Sequence, residues 1–293
     1  MATLLITGGT GYLGGELVRQ ARTAGHAVTA TYFSQSPPSV EGVAWERLDI
    51  RDDQAVAALL ERLRPQAVVH TAFRQSGPEL MAVTAEGAGN VARASAAVGA
   101  RLIHISSDVI FDGEREAAYD EADPPAPITP YGEAKARAEA LVAAAHPGAA
   151  IVRTSLIYGF EPIDKTTQFA LDVAAGRRDE LLYDDEYRCP IFVGDLAAAL
   201  LELVALPYAG VLNIAGAERL SRYELGQLLV AAWGHDPATL QSGSSAQSPV
   251  RRPRNCTLAI GRARELLRTR LRGVREVLSE MGRPGIAPGA QRR

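Results

Sequence analysis

The sequence predicts an α/β chain: a doubly wound parallel sheet with a smaller C-terminal substrate-binding lobe. Three observations carry that expectation. Apolar strand-like runs alternate with amphipathic helical patterns as far as Thr154. A glycine-rich turn follows the first strand directly, and beyond Thr154 the regular alternation loosens. Strands that alternate with helices form a parallel sheet covered on both faces, because each crossover lays a helix back on the sheet.

The elements read in order are Thr3–Thr7, a helix Tyr12–Ala24, Ala27–Tyr32, a helix Asp52–Leu63, Ala67–Thr71, a helix Glu79–Val98, Leu102–Ser106, a helix Tyr131–Ala145 and Ala150–Thr154. Asp52 is placed to cap its helix and Pro65 to stop it. In the second part the pattern predicts helices over Thr166–Ala175, Gly194–Leu203 and Ser221–Trp233, with Val211–Ile214 strand-like. Ser221 and Glu224 have the spacing of a capping box. The stretch Gln241–Pro253, rich in Ser, Gly and Pro, reads as a loop. The expected organisation is a nucleotide-binding core over 1–154 and a lobe over 155–281 with elements returning to the core. A disordered tail is expected over 282–293.

Composition narrows the class. With 293 residues, 47% of them hydrophobic, the chain can bury a two-lobed core. Its net charge of −3, with acids and bases interspersed, argues against nucleic acid as a partner. No run of 18 apolar residues suggests a membrane span, and the amino terminus lacks a signal-like pattern, so a cytoplasmic protein is expected. Cys189 and Cys256 are expected as free thiols, and the five scattered histidines suggest no metal site. His70 and His104 fall in strands and read as hydrogen-bonded core residues.

The turn after the first strand is Thr7-Gly8-Gly9-Thr10-Gly11-Tyr12-Leu13-Gly14. It fits the dinucleotide fingerprint of the Rossmann fold: glycines let the backbone turn tightly against a pyrophosphate, and the following helix offers its amides and positive dipole end. An acid at the end of the second strand would bind the ribose 2′-hydroxyl of NAD, but the sequence there is Thr31-Tyr32-Phe33-Ser34-Gln35. The missing carboxylate favours NADP(H) over NAD(H), with Tyr32 and Ser34 beside the adenosine ribose. Asp49-Ile50 is placed either at the adenine amino group or as a helix cap, and Thr71-Ala72 closes the fourth strand beside the glycines.

Tyr131 and Lys135 stand four residues apart, and Lys135 is one of two lysines among 31 basic residues. On a helix they share a face, so a phenol and a compact ammonium can serve one site and exchange protons with a substrate.

With the glycine turn at one end and this pair about 120 residues on, the chain resembles the extended short-chain dehydrogenase/reductases. Within them it is most similar to the dTDP-4-dehydrorhamnose reductase (RmlD-like) family, whose relatives include the regulatory β subunit of methionine adenosyltransferase. The resemblance covers about residues 2–280 and rests on Ile105-Ser106-Ser107-Asp108-Val109-Ile110-Phe111-Asp112-Gly113 and Pro130-Tyr131-Gly132-Glu133-Ala134-Lys135. Val152-Arg153-Thr154-Ser155-Leu156-Ile157-Tyr158-Gly159, the stretch Pro190 to Asp195, and Arg252-Pro253-Arg254-Asn255 match as well.

The resemblance implies an NAD(P)H-dependent oxidoreductase reducing the 4-keto group of a nucleotide-activated deoxysugar or a related carbonyl compound. It assigns Ser107 to the substrate oxygen, Tyr131 to proton donation, and Lys135 to the nicotinamide ribose and to lowering the tyrosine pKa. Asp108, Tyr158, Arg252 and Arg254 are implied on the substrate side, and a homodimer is the assembly to test. Two departures matter: Thr84 stands where the family commonly has asparagine, and Arg188-Cys189-Pro190-Ile191 is less polar around the proline. The alternatives are a cofactor-binding regulatory subunit with a vestigial site, and a sugar-nucleotide epimerase or dehydratase.

Overall fold

A computed structural model describes residues 1–281, so the tail expected over 282–293 lies outside the described residues. The first part runs β1 (Thr3–Thr7), α1 (Tyr12–Thr23), β2 (Ala27–Tyr32), β3 (Val43–Arg47), α2 (Asp53–Leu63), β4 (Ala67–His70), α3 (Gly87–Ala97), β5 (Arg101–Ile105), α4 (Pro130–Ala145) and β6 (Ala150–Arg153). The second part runs β7 (Ile157–Tyr158), α5 (Lys165–Ala174), β8 (Leu182–Tyr183), β9 (Tyr187–Arg188), β10 (Ile191–Phe192), α6 (Val193–Ala205), β11 (Gly210–Asn213), β12 (Leu220–Ser221), α7 (Arg222–Ala232), β13 (Ser242–Gly243), α8 (Gly261–Leu266) and α9 (Val274–Met281).

Seven strands form the central sheet in the order β11-β6-β5-β4-β1-β2-β3, and every pairing in it is parallel. This is the doubly wound arrangement, and the strand order reverses between β1 and β4. Both faces are buried, which explains why the strands are apolar throughout rather than alternating. Leu4, Ile6, Val69, Ile103 and Val152 pack with Leu13 and Leu17 of α1 and Leu196 and Leu200 of α6. Leu5, Val68, Leu102 and Ile151 pack on the other face against Leu59 and Leu60 of α2, Val91 of α3 and Val142 of α4. Each such aliphatic side chain removed from water contributes about 1.5–3 kcal/mol before ordering costs.

Local signals act as the sequence predicts at several ends. The Asp52 carboxylate accepts from the Ala55 amide at 2.9 Å, and Ser221 and Glu224 complete their capping box. Elsewhere the structure differs. The helix expected over Glu79–Val98 contains a π-helical stretch, Ala82–Glu86, before α3. Here the Thr84 hydroxyl donates to the Arg74 carbonyl at 2.7 Å and accepts from its amide at 2.9 Å, so the widened turn clasps the loop after β4. The 241–253 loop contains the short strand β13, paired with β8. The helices α8 and α9 are additional to those expected. His104 is buried but its ring nitrogens have no hydrogen-bond partner among the described residues, whereas His70 Nδ1 lies 2.6 Å from the Thr7 hydroxyl.

The second part contributes α6, β11 and α8, with Ile191, Leu258 and Leu271, to the core and forms two further small apolar clusters. Tyr158, Phe160, Leu225, Leu229 and Val277 form one; Leu171, Leu182, Val230 and Leu240 form the other. Among the described residues no helix is long and apolar enough to cross a membrane.

Candidate active site

The glycine turn sits at the carboxyl end of β1, beside the switch point. Gly8 has φ +70°, and a Cβ there would stand 2.9 Å from the Ala72 backbone; both facts call for glycine. A Cβ on Gly14 would lie 2.1 Å from the Gly8 carbonyl oxygen, so the start of α1 presses on the turn as closely as backbone allows. No side chain caps α1 at Gly11. The first-turn amides are thus left to another acceptor, and with the dipole they suit a phosphate.

From this turn a cavity of about 230 Å³ runs across the ends of β1, β2 and β4. Gly8, Gly11, Tyr32, Ser34, Asp49, Ile50, Thr71 and Ala72 line it, together with Phe33, Gln35, Arg51 and Phe73. The remaining residues of the turn sit differently. Thr7 is buried with its hydroxyl on His70, Leu13 packs in the core, and the buried Tyr12 hydroxyl has no partner among the described residues. Only the backbone of these three can serve a ligand in the groove. Asp49 is not the helix cap: its carboxylate accepts from the Arg51 amide at 3.0 Å and pairs with the Arg51 guanidinium at 2.6 Å, which holds it below the usual carboxylate range.

The sequence around Ser34 contains no arginine, yet the fold brings two. Tyr32 pairs with Arg47 in the β2–β3 register. The guanidinium of Arg47 lies 5.8 Å from the Phe33 ring and that of Arg51 5.7 Å from it. Arg51 also bonds Glu79, reached from the loop after β4. A ring stacked by cations at the mouth of a groove is a firm wall for a flat, anionic ligand.

Phe73 lines the cavity, and beyond it stand Tyr131 and Lys135 of α4 and, just past β5, Ser107. Ser107 leaves β5 in extended conformation, and its hydroxyl caps the turn Asp108–Ile110. Thr129 caps α4, Pro130 takes the first turn, where its missing N–H costs nothing, and Tyr131 follows. Gly132 makes the approach possible, since a Cβ there would lie 2.2 Å from the Val109 carbonyl. Lys135 is 4% exposed and donates to the Ile105 carbonyl at 2.8 Å. Its Nζ stands 5.0 Å from the Phe73 ring and 5.9 Å from that of Tyr131. Burial pulls the ammonium down to about 8, against the opposing pull of Glu139.

The tyrosine differs from the sequence expectation. Burial, and then the Asp108 carboxylate, push the phenol above its ordinary value, while the Ser107 hydroxyl acts the other way. Lys135 does not offset this, because its charge is turned down toward Ile105 and Phe73. A phenol held protonated at neutral pH is fitted to give a proton rather than take one. Phe73, which the sequence does not single out, packs its ring 5.9 Å from that of Tyr131 and is half exposed.

The residues expected on the substrate side are dispersed. Asp108 is buried behind Ser107. Tyr158 is fully buried among Phe160 and Phe192, so the short strand aims it into the lobe core. Arg254 pairs with Glu114 at 3.3 Å on the surface. Arg252 instead lines a second cavity, of about 290 Å³, with Thr166, Phe169, Tyr183, Arg222 and Gly226. Its guanidinium bonds Glu186 at 2.6 Å and lies 5.3 Å from the Tyr183 ring. Arg222, also missed in the sequence, forms no ion pair among the described residues, and burial lowers its pKa.

A glycine turn at a helix N-terminus, a groove beside it and a Ser-Tyr-Lys set near the carboxyl ends of the strands are the features of an extended short-chain dehydrogenase/reductase, an NAD(P)-binding oxidoreductase of the Rossmann fold. Comparison with known proteins specifies the family. The family model described as the RmlD substrate binding domain matches residues 1–284, and the chain belongs to that family. The dTDP-4-dehydrorhamnose reductase of Mycolicibacterium smegmatis is 32% identical over 286 residues, 94% of this chain and 84% of that protein. The crystal structure of a dTDP-4-dehydrorhamnose reductase from Bacillus anthracis in complex with NADP superposes with a TM-score of 0.81 at 24% identity, covering 95% of this chain and 96% of that one. The Bordetella bronchiseptica enzyme WbmH in complex with NAD+ does so with a TM-score of 0.82 at 17% identity, over 95% and 96% of the two chains. The fold is therefore common to proteins that hold either pyridine nucleotide.

Proposed function

We propose that the protein is an NADPH-dependent reductase of the 4-keto group of a nucleotide-activated deoxysugar. The observation that carries this reading is the grouping of Ser107, Tyr131 and Lys135 beside Phe73, which lines a groove that begins at an uncapped helix terminus. When bound, the cofactor supplies the hydride. The protein's part is to hold and to polarise. Gly8, Gly11 and the amides at the start of α1 take the pyrophosphate, the groove wall at Tyr32, Ser34, Asp49 and Ile50 takes the adenosine, and Lys135 meets the nicotinamide ribose. Ser107 bonds the substrate oxygen and Tyr131 delivers the proton to it. A proton donor kept in working geometry argues against a vestigial regulatory role. The test is NADPH absorbance on addition of a panel of dTDP-4-keto-6-deoxysugars and simple ketones. A folded protein that binds NADPH and turns over none of them would sink the reading.

Arg47 and Arg51 around Phe33 support NADP(H) over NAD(H), since a guanidinium beside Ser34 can pair a 2′-phosphate. Arg51→Leu is accordingly expected to weaken NADPH binding by about tenfold, roughly 1.4 kcal/mol, and NADH binding much less. Fluorescence titration with both nucleotides checks this, and equal losses would refute it.

We assign 1–154 to cofactor binding and 155–281 mainly to substrate, with the cavity at Arg222 and Arg252 taking the nucleotide diphosphate. Arg252→Ala is expected to raise KM for the sugar nucleotide about tenfold or more, whereas Arg254→Ala, at an exposed pair worth little, leaves KM within about twofold. Steady-state kinetics on both variants decides between them. Two buried free thiols and a dissociable reduced nucleotide suit a reducing cytoplasm.

A further inference from the structure

Ser107 leads through Asp108 into a buried chain of charge. Asp108, 3% exposed, accepts from the Ser155 hydroxyl at 2.6 Å and from the Ser107 hydroxyl at 3.2 Å. Arg188 Nε stands 3.6 Å from the same carboxylate. The Arg188 guanidinium also donates to Glu186 at 3.1 Å, and Glu186 accepts in turn from Arg252 of the lobe cavity. Asp108 and Glu186 thus share Arg188 between them in a medium where an unpaired charge is costly.

We infer that Asp108 is a positioning residue and not a substrate ligand: its carboxylate holds the Ser107 hydroxyl beside the Tyr131 phenol until the substrate oxygen takes that one proton in its hydrogen bond, and Arg188 keeps the carboxylate ionised. The assignment rests on the reductase reading above. It explains why a carboxylate adjacent in sequence to the serine is turned inward, and why Ser155 spends its hydroxyl on it. Burial raises the Asp108 pKa; Arg188 and then the two serine hydroxyls pull it back, and Glu186 adds to the rise. The other groups facing it are Tyr131 of α4, Arg222 of α7 and the thiols of Cys189 and Cys256.

The sign follows. If the ionised form is required, kcat falls as pH drops through the Asp108 pKa, which lies above the ordinary carboxylate range. Glu186→Gln removes a carboxylate that raises this pKa, so the acid limb of kcat moves to lower pH. Ser155→Ala removes a hydroxyl that lowers it, so the limb moves to higher pH. A merely structural role predicts no such opposed shifts.

The experiment is kcat and KM against pH, from about pH 4 to 8, with NADPH and the best keto-sugar nucleotide of the panel. Asp108→Asn is expected to lower kcat about tenfold or more with KM within about twofold, and to flatten the acid limb. Should that variant not fold, the opposed shifts of Glu186→Gln and Ser155→Ala carry the test. Wild-type kcat in Asp108→Asn, a rise in KM alone, or a limb unmoved by both other variants would overturn the assignment. A wild-type protein without turnover overturns the reductase reading and this assignment with it, an outcome distinct from the others.

Discussion

Tyr131→Phe is expected to leave a folded protein that still binds NADPH, and to lower kcat by about 10²- to 10⁴-fold. Only the hydroxyl is removed: the ring keeps its packing against Phe73 and its place on α4. No neighbour can take over as acid. Lys135 directs its ammonium to the Ile105 carbonyl at 2.8 Å, and the Ser107 hydroxyl is tied to Asp108 and is a far weaker acid than a phenol. Because burial and Asp108 hold the Tyr131 phenol protonated, the wild-type donor is loaded across neutral pH, so the loss in the variant should be nearly constant with pH there. NADPH absorbance measures kcat, and fluorescence titration measures nucleotide affinity. A variant with unchanged kcat would remove Tyr131 from the chemistry; a parallel loss of NADPH affinity would make it a cofactor-packing residue instead.

What the sequence reveals of this site follows the range of the interactions concerned. The glycine turn and the Tyr131/Lys135 spacing are local: backbone sterics and helix geometry act within a few residues, and both are legible. Arg47 and Arg51 beside Phe33 are not, because they arrive through the pairing of Tyr32 with Arg47 across two strands. Phe73, Arg222 and the Glu186–Arg188 pair likewise depend on which loops the topology gathers at one sheet edge. Tyr158 misleads for the opposite reason. Its motif matches, but the fold sends its side chain into the apolar cluster with Phe160 and Phe192. The tyrosine pKa also lay beyond sequence reasoning, since an i, i+4 pair fixes a shared face and not where a flexible ammonium points.

Gly14→Ala tests the other end of the groove, and Gly15→Ala is its control. The two glycines are neighbours in the same helix, and one methyl is added in each case. At Gly14 the new Cβ would stand 2.1 Å from the Gly8 carbonyl oxygen, 2.9 Å from the Gly8 carbonyl carbon and 3.0 Å from the Gly9 Cα. All three are backbone, so no rotamer change relieves the clash; α1 must move off the turn or the turn must open. The expected cost is about 2–4 kcal/mol of stability, with NADPH binding lost because the first-turn amides leave their alignment. At Gly15 the nearest atom is the Gly9 carbonyl oxygen at 3.7 Å, an ordinary contact. Alanine there gains helix propensity and should stabilise by up to about 1 kcal/mol, leaving nucleotide affinity intact. Urea denaturation and NADPH titration on both variants give the contrast. If Gly14→Ala matched Gly15→Ala in both measurements, the close approach of α1 to the turn would not be what builds the phosphate site.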